Sequence, residues 1–244
     1  MVARARVPIL KMGTVDGTFV DLSLHNASSV KAAKHMRNQL KQFPSSIPVI
    51  LVLKCLLKEA NLTDVSLGGL GGYALTNMVL AHCMELRKMG RPDLDYGEVL
   101  LGFLEKFGYN FDFVRQAVSS RHGAILKKSD LERETLEWVR NRDTWHGRIN
   151  GKRILLVEDP LTGLNLAGGT SRFQKVQARF RHAFEALDGE QGNTEEVLPN
   201  LFNVDKAISR NGHYSPKHGM MQPTKALKRE GYDRQKARED IRDF

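Results

Sequence analysis

The sequence has few of the residues from which covalent cross-links and metal sites are built. Its 244 residues include two cysteines, Cys55 and Cys83, and both lie in apolar stretches with helical spacing. Such cysteines are typical of small buried side chains in a reducing compartment, which excludes a disulfide framework. The eight histidines have no metal-ligand spacing, and the chain has neither a His-Glu-x-x-His nor a Gly-x-Ser-x-Gly motif. We therefore exclude zinc hydrolases and serine hydrolases.

Long apolar runs are also missing. No stretch of about 18 apolar residues occurs, so we expect no membrane-spanning segment and a soluble intracellular protein. Positive charge is abundant instead, since 37 Lys and Arg against 28 Asp and Glu give a formal net charge of +9. This balance favours a polyanionic partner, with nucleic acid first and an acidic membrane surface second. A solvated basic surface without a partner is the alternative.

The spacing of apolar residues predicts a short β-segment followed by a mostly helical body, an α+β fold. Residues 5–11 and 18–24 are rich in β-forming residues and are separated by Gly13 and Gly17, which predicts two antiparallel strands joined by a turn. Residues 119–150 are polar and begin without a core-facing pattern. From residue 28 onward the period predicts helices over 30–40, 49–62, 73–88, 96–107, 129–140 and 171–187.

Several residues are candidates for chemistry. Asp21 lies on the second predicted strand, where a carboxylate is either a solvated side chain or an oxygen ligand for Mg²⁺. Lys54 and Lys58 share one face of an apolar helix, so they either face an anion such as a triphosphate or form a solvated stripe. The glycine-rich turn 68–72 precedes a helix start, where backbone N–H groups bind phosphate oxygens. Tyr73, which follows the turn, either stacks on a base or belongs to the core.

A pair of acids, Glu158 and Asp159, ends an apolar run before Pro160. We expect both carboxylates at the rim of the core, where they either cap a turn or hydrogen-bond the edge of a base. Each of these features is unspecific when taken singly. Their order and spacing along the chain are more informative.

The ordered segments resemble the non-canonical poly(A) polymerases and terminal uridylyltransferases of the polymerase-β-like nucleotidyltransferase superfamily. Within this group, the chain is most similar to the nuclear RNA-surveillance polyadenylating enzymes, the catalytic subunits of TRAMP-type complexes. The resemblance runs over residues 4–187, with the loop 119–150 poorly matched. The segments that carry it are Ala5–Lys11, Val20–Asn26, Leu51–Lys58, Gly68–Tyr73 and Val157–Leu161.

The resemblance implies three units. Residues 1–27 would be the end of a nucleotidyltransferase palm sheet, and residues 28–188 a helical central, poly(A)-polymerase-associated domain. Residues 189–244 would be a basic, partly disordered tail.

The resemblance also implies roles in a transfer reaction. Asp21 would be the third catalytic carboxylate and a ligand of Mg²⁺ or Mn²⁺, and Asn26 would contact the ribose. Lys54 and Lys58 would hold the triphosphate. The implied reaction is in-line attack of an RNA 3′-hydroxyl on the α-phosphate of ATP, with release of pyrophosphate.

The remaining candidates concern the base and the phosphates. Tyr73 would stack on the base, and Asp159 would belong to the nucleotide-recognition motif. Asn165 stands where uridylyltransferases carry a histidine that disfavours adenine, which favours ATP. Gly72 stands where the family usually has Ser, so the chain lacks a hydroxyl that would touch phosphate.

The RNA is expected on a basic helix near the end of the matched region, through Arg172, Lys175, Arg179 and Arg181. The resemblance further implies an RNA helicase and a zinc-knuckle RNA-binding subunit as partners, and a nuclear location with the cytoplasm as the alternative. The lack of long apolar runs implies no membrane.

The chain also departs from the family pattern. The Gly-Ser motif and the Asp-x-Asp that follows it precede the third catalytic Asp in the family, and nothing before Asp21 matches them. Asp93 and Asp95 match the Asp-x-Asp pattern but lie after the glycine-rich turn, where the family does not have it. Gly169 stands where the family commonly has Arg. One carboxylate cannot hold two metal ions, so we expect this chain alone to have no polymerase activity. Three hypotheses stay open: part of an adenylyltransferase, a uridylyltransferase with the same machinery, or a non-catalytic nucleotide- or RNA-binding remnant.

Overall fold

The computed structural model describes residues 10–14, 19–22, 27–91, 95–131, 155–188 and 201. Within these ranges the chain forms a β-hairpin, a small three-stranded sheet and five α-helices, so the expected α+β class is confirmed. The predictions for Asn26, for residues 132–140 and for the tail fall outside the described residues, apart from the single position 201.

The first two strands, β1 (Leu10–Gly13) and β2 (Phe19–Leu22), pair antiparallel, as predicted. Gly13 pairs with Phe19 and so belongs to the strand, not to the turn. The apolar residues Val20 and Leu22 of β2 and their β1 neighbours, Leu10 and Met12, are 36–43% exposed. A two-stranded ribbon has no layer of its own to cover this apolar face.

The helices follow the predicted apolar pattern, with ends shifted by a few residues. The fourth predicted helix, 96–107, does not stop at its expected end, because the chain continues there through the π-helical turn Lys106–Asn110. Gly108 permits a close approach, since a Cβ at this position would lie 3.0 Å from the backbone N and Cα of Arg181. The helices are α1 (Ala27–Gln42), α2 (Ser46–Glu59), α3 (Gly72–Lys88), α4 (Tyr96–Glu105) and α5 (Phe173–Asp188).

The core joins these helices through a chain of phenylalanines. Phe103 contacts Phe107 at 4.5 Å and Phe180 at 5.4 Å between ring centroids, the second pair edge to face. Phe111 and Phe173 continue the chain at 6.1 Å. Aromatic pairs in such geometries add to the stabilisation that burial provides. The cluster fixes α5, and the residues before it, against α4.

One strand of a three-stranded sheet lies in residues 119–150, at whose start we expected no core-facing pattern. Its strands are β3 (Gln116–Ser119), β4 (Ala124–Lys127) and β5 (Val157–Glu158), in the order β4-β3-β5. β3 runs antiparallel to β4 and parallel to β5. The strands are too short to show a period in the sequence, yet Ala117 and Val118 are fully buried. This sheet brings the end of β5 beside the start of α3.

Among the described residues, no single helix is both long and apolar enough to cross a membrane. The consecutive segments Ser29–Gln42 and Ser46–Glu59 are long and apolar enough only when they are taken together, and the chain bends by 117° between them.

His82 is a buried titratable group in α3. Its side chain is 4% exposed and packs edge-on against Phe103. Burial, and then the charge of Lys106, lowers the pKa of His82 to about 3. The unfolded chain binds a proton near pH 6.5 that the folded chain binds only near pH 3, so stability is lost as the pH falls through this window, by about 1.4 kcal/mol per unit.

We predict that His82→Leu makes folding less sensitive to acid, because leucine fills a similar volume and does not titrate. Between pH 7 and pH 5 the free energy of unfolding should fall by about 2 kcal/mol less in the variant than in the wild type. Urea denaturation at the two pH values measures this. The exposed His182 supplies the control His182→Leu, which should follow the wild type. Equal pH dependence of His82→Leu and the wild type would contradict the assignment.

Candidate functional site

The start of α3 lies beside the cationic side chain of Lys54 from α2. A Cβ at Gly72, the first residue of α3, would stand 3.4 Å from Lys54 Cε and 3.8 Å from Lys54 Nζ. The N-cap of this helix is Gly71, which makes no side-chain capping bond, and the first turn has no acid. The first N–H groups of a helix lack intrahelical partners and carry its positive end. The arrangement therefore presents positive charge to an anion.

Lys54 and Lys58 are both exposed on α2. Neither makes an ion pair with any residue that the structure describes. The two cations are therefore available to an external anion, and their predicted role with a triphosphate stays a prediction.

The glycine-rich turn owes its composition to close packing. A Cβ at Gly68, where φ is +83°, would lie 2.3 Å from Ser171 Oγ, and one at Gly69 would lie 2.4 Å from the Leu62 carbonyl oxygen. Hydrogen bonds hold the turn on both sides, from Leu70 N–H to the Leu62 carbonyl (2.7 Å) and from Arg172 N–H to the Gly68 carbonyl (2.9 Å). Only glycine permits such approaches. The turn therefore fixes where α3 begins.

Gly169 lies against the same turn. A Cβ there would stand 2.6 Å from Val65 Cγ1. The position at which the family often has an arginine is therefore closed by Val65 in this chain.

Tyr73 and Asp159 come together although 86 positions separate them. The Tyr73 hydroxyl donates to Asp159 Oδ1 at 3.4 Å. Burial, and then the charge of Asp159, raises the pKa of Tyr73 to about 12, so the hydroxyl stays protonated. Asp159 also accepts from Leu161 N–H (3.0 Å) and from the Thr162 hydroxyl (2.8 Å). Asp159 thus caps its own turn and faces Tyr73 with the same carboxylate.

The expectation that Glu158 lies at the rim of the core is wrong, because its side chain is fully buried. The parallel pairing of β5 with β3 places it opposite Ser119, whose hydroxyl donates to Glu158 Oε2. Arg121 Nη1 and His122 Nδ1 each lie 3.4 Å from the carboxylate. Arg121 Nε also donates to the Pro160 carbonyl at 3.2 Å, so one arginine contacts the residues on both sides of Asp159.

Sequence reasoning missed Ser119, Arg121 and His122, because they lie in a polar stretch whose partner, Glu158, is some 40 positions away. It also missed Asn77. The Asn77 amide donates to the Tyr73 carbonyl at 2.9 Å and accepts from the Ser120 hydroxyl at 2.6 Å. Asn77 therefore connects the first turn of α3 to the turn between β3 and β4.

Asn165 is 2% exposed, and backbone groups engage its side chain. Its oxygen accepts from Val157 N–H (3.1 Å) and Ala167 N–H (2.9 Å), and its amide donates to the Leu155 carbonyl (3.0 Å). Asn165 thus fastens the chain before and after Asp159. Its predicted part in base selection stays a prediction, and its contacts here are those of a residue that holds the turn.

The four cations predicted to bind RNA do not form one free surface. Arg179 Nη2 pairs with Glu59 at 3.2 Å and donates to the Leu201 carbonyl at 2.6 Å. Arg181 lies over the Tyr109 ring at 5.0 Å and donates to the Gly108 carbonyl at 3.1 Å. Arg172 Nη1 donates to the Leu67 carbonyl at 3.4 Å. Lys175 is exposed and has no partner among the described residues.

Asp21 pairs with Lys11 in the β1–β2 register. Its side chain and all of Asn26 fall outside what the structure describes. No three His, Cys, Asp or Glu side chains of the described residues come together in a group that could hold a metal ion. The predicted metal site at Asp21 therefore stays a prediction.

We predict that Asn165→Ala destabilises the protein by about 3 kcal/mol, because two buried N–H groups and one buried carbonyl lose their partner. Chemical denaturation measures the free energy of unfolding. The exposed Asn38 of α1 gives the control Asn38→Ala, which should change stability by less than about 0.5 kcal/mol. A loss of under about 1 kcal/mol at position 165 would show that the turn does not depend on this side chain.

Comparison with known proteins places this geometry in context. The family model described as Cid1 family poly A polymerase matches residues 95–165. Poly(A) RNA polymerase CID14 of Cryptococcus neoformans is 31% identical over 193 residues, which are 77% of this chain and 24% of that protein. The inactive non-canonical poly(A) RNA polymerase protein Trf4-2 of Drosophila melanogaster is 27% identical, over 84% of this chain and 51% of that protein. The chain spans 24–31% of the length of the first five curated relatives.

Solved structures show the same fold. The polymerase core of TRAMP, an RNA surveillance complex, matches with a TM-score of 0.66 and 24% identity, over 83% of this chain and 64% of that one. The Cid1 poly(U) polymerase with Mg and 3′-dATP bound matches with a TM-score of 0.60 and 19% identity, over 81% of this chain and 69% of that one.

Proposed function

We propose, since the chain belongs to the family of non-canonical poly(A) polymerases, that its described residues form the nucleotide-binding part of a template-independent RNA 3′-end nucleotidyltransferase that uses ATP. The observation that carries the proposal is the meeting of Lys54, Gly72, Tyr73 and Asp159 at the start of α3. The Lys54 ammonium group and the start of α3 can bind phosphates, while the Tyr73 ring and the Asp159 carboxylate can bind a base. A nucleoside triphosphate has these two ends.

The triphosphate is proposed to bind Lys54, Lys58 and the first N–H groups of α3. Ammonium groups and helix starts both favour anions, and their hydrogen bonds to phosphate are charge-assisted. Gly72 leaves the helix start without a side chain, so backbone and phosphate can approach closely. This would also relieve the repulsion between two lysines on one helix face that have no acidic partner among the described residues.

The base is proposed to stack on Tyr73 and to donate a hydrogen bond to Asp159. The adenine amino group and the uracil N3–H both donate, so this contact alone does not separate ATP from UTP. ATP is favoured because several curated relatives are named poly(A) RNA polymerases. The second candidate, a terminal uridylyltransferase, is favoured by solved neighbours that are a poly(U) polymerase and a terminal uridylyl transferase.

The proposed reaction joins the α-phosphate to an RNA 3′-hydroxyl and releases pyrophosphate. The part of the described residues is to hold the base and the triphosphate so that the α-phosphate is in line with the attacking oxygen. Asp21 stays the proposed ligand of Mg²⁺ or Mn²⁺, which supplies charge stabilisation when bound. A binding role without catalysis is a third candidate, since one relative is named inactive. A nuclear location, an RNA helicase and a zinc-knuckle subunit also belong to the proposal.

We predict that two sets of variants separate the two ends of the ligand. The double variant Lys54→Gln and Lys58→Gln should bind both ATP and inorganic tripolyphosphate about tenfold or more weakly, because both ligands lose charge-assisted contacts. Tyr73→Ala should lower the affinity for ATP by about tenfold and leave the affinity for tripolyphosphate unchanged, because only stacking on the base is lost. Isothermal titration calorimetry of the 244-residue chain with Mg²⁺ measures both dissociation constants.

The exposed Lys127 of β4 supplies the control Lys127→Gln, which should bind as the wild type does. Wild-type protein that binds no nucleotide, or lysine variants that bind ATP unchanged, would contradict the proposal. Titration with UTP in place of ATP decides between the first and second candidates.

A further inference from the structure

The outer face of α1 carries an unusual run of positive charge. Between Asp21 and Glu59 the sequence contains no acid and six cations. Two of these are Lys54 and Lys58. The other four lie on α1 and are exposed: Lys31, Lys34, Arg37 and Lys41.

Helical geometry places these four side chains together. At 3.6 residues per turn they fall within an arc of about 120°. Met36 and Leu40 are partly buried against the core and lie on the opposite side of the helix. The next residue that packs into the core, Phe43, lies just beyond α1 and under Arg87, whose Nη2 also donates to the Gln42 carbonyl at 2.7 Å. One side of α1 is therefore held to the body of the protein, and the cationic side faces solvent.

The four cations of α1 differ in their contacts from the cations of α5. None of the four has an acidic partner among the described residues. The predicted RNA surface on α5 differs, since Arg179 and Arg181 are engaged by Glu59, Tyr109 and backbone carbonyls. Cations that already have protein partners must give them up to bind a phosphate. Free cations on a fixed helix face pay no such cost.

We propose that the outer face of α1, through Lys31, Lys34, Arg37 and Lys41, binds the phosphate backbone of a single-stranded RNA, the strand whose 3′ end is the substrate under the proposed function on which this inference rests. Successive cations are three or four residues apart, so they rise by about 4.5–6 Å along the helix, a spacing suited to successive phosphates of an extended strand. The face lies on the helix that directly follows β2, the strand of Asp21. The proposed RNA-binding helix is therefore adjacent in sequence to the proposed catalytic strand.

The test compares RNA binding by two fourfold variants of the full chain. The first carries Lys31→Gln, Lys34→Gln, Arg37→Gln and Lys41→Gln. The control removes the same charge from exposed cations elsewhere, through Lys88→Gln, Arg91→Gln, Arg115→Gln and Lys127→Gln. Fluorescence anisotropy with a labelled oligoadenylate measures the dissociation constant at several salt concentrations.

We expect the α1 variant to lose about tenfold or more in RNA affinity, with a salt slope lower by about 3, as four lost phosphate contacts to a single strand require. The control should lose markedly less. A variant with Lys31→Arg, Lys34→Arg and Lys41→Arg keeps the charge and should bind RNA as the wild type does. This result would show that the α1 variant loses affinity through its charge and not through misfolding. ATP binding should be unchanged in the α1 variant. A loss of ATP binding would show that the substitutions disturb the nucleotide site and do not act through this surface alone.

Equal losses in the two fourfold variants would overturn the proposal, because the effect would then come from net charge. Unchanged RNA binding by the α1 variant would overturn it as well. The same outcome, together with lost binding to phosphatidylserine vesicles, would assign the face to an acidic membrane.

Discussion

The site depends on how closely the backbone of the glycine-rich turn approaches its neighbours. The turn passes between the end of α2 and the start of α5, at distances that leave no room for a Cβ at Gly68 or Gly69. This contact fixes the first residue of α3 and therefore the position of Tyr73. It also fixes which side chain of α2 lies beside the helix start, which is Lys54. The proposed triphosphate site and the proposed base site are neighbours because one short turn is made almost entirely of glycine.

The second half of the site depends on a buried charge. Glu158 is fully buried, and Ser119, Arg121 and His122 surround its carboxylate. A buried carboxylate is costly unless partners of this kind satisfy it. Because Arg121 also contacts the Pro160 carbonyl, the same interaction holds the chain on both sides of Asp159. Asn165 holds the next part of the turn. The carboxylate that faces Tyr73 is thus positioned by residues that do not themselves face the proposed ligand.

The sequence predicts the features that repeat along an element and misses those that join distant parts of the chain. The apolar period of α3 is strong over many turns, so its predicted start differs by one residue from the observed Gly72. The strands β3 and β4 have four residues each, which is too few for a period to emerge. The burial of Glu158 follows from a pairing with β3 that no local pattern records. Tyr73 and Asp159 were each predicted from the family resemblance, whereas the hydrogen bond between them is visible only in the fold.

Under the proposed function, one nucleoside triphosphate binds across the start of α3, with its base at Tyr73 and Asp159. Photolabelling of the chain with 8-azido-ATP, followed by mass spectrometric mapping of the modified peptides, tests this most directly. We expect labels within the first turns of α3 or in the turn after β5, and their loss when unlabelled ATP competes. Labels confined to other parts of the chain, or labels that ATP does not reduce, would contradict it.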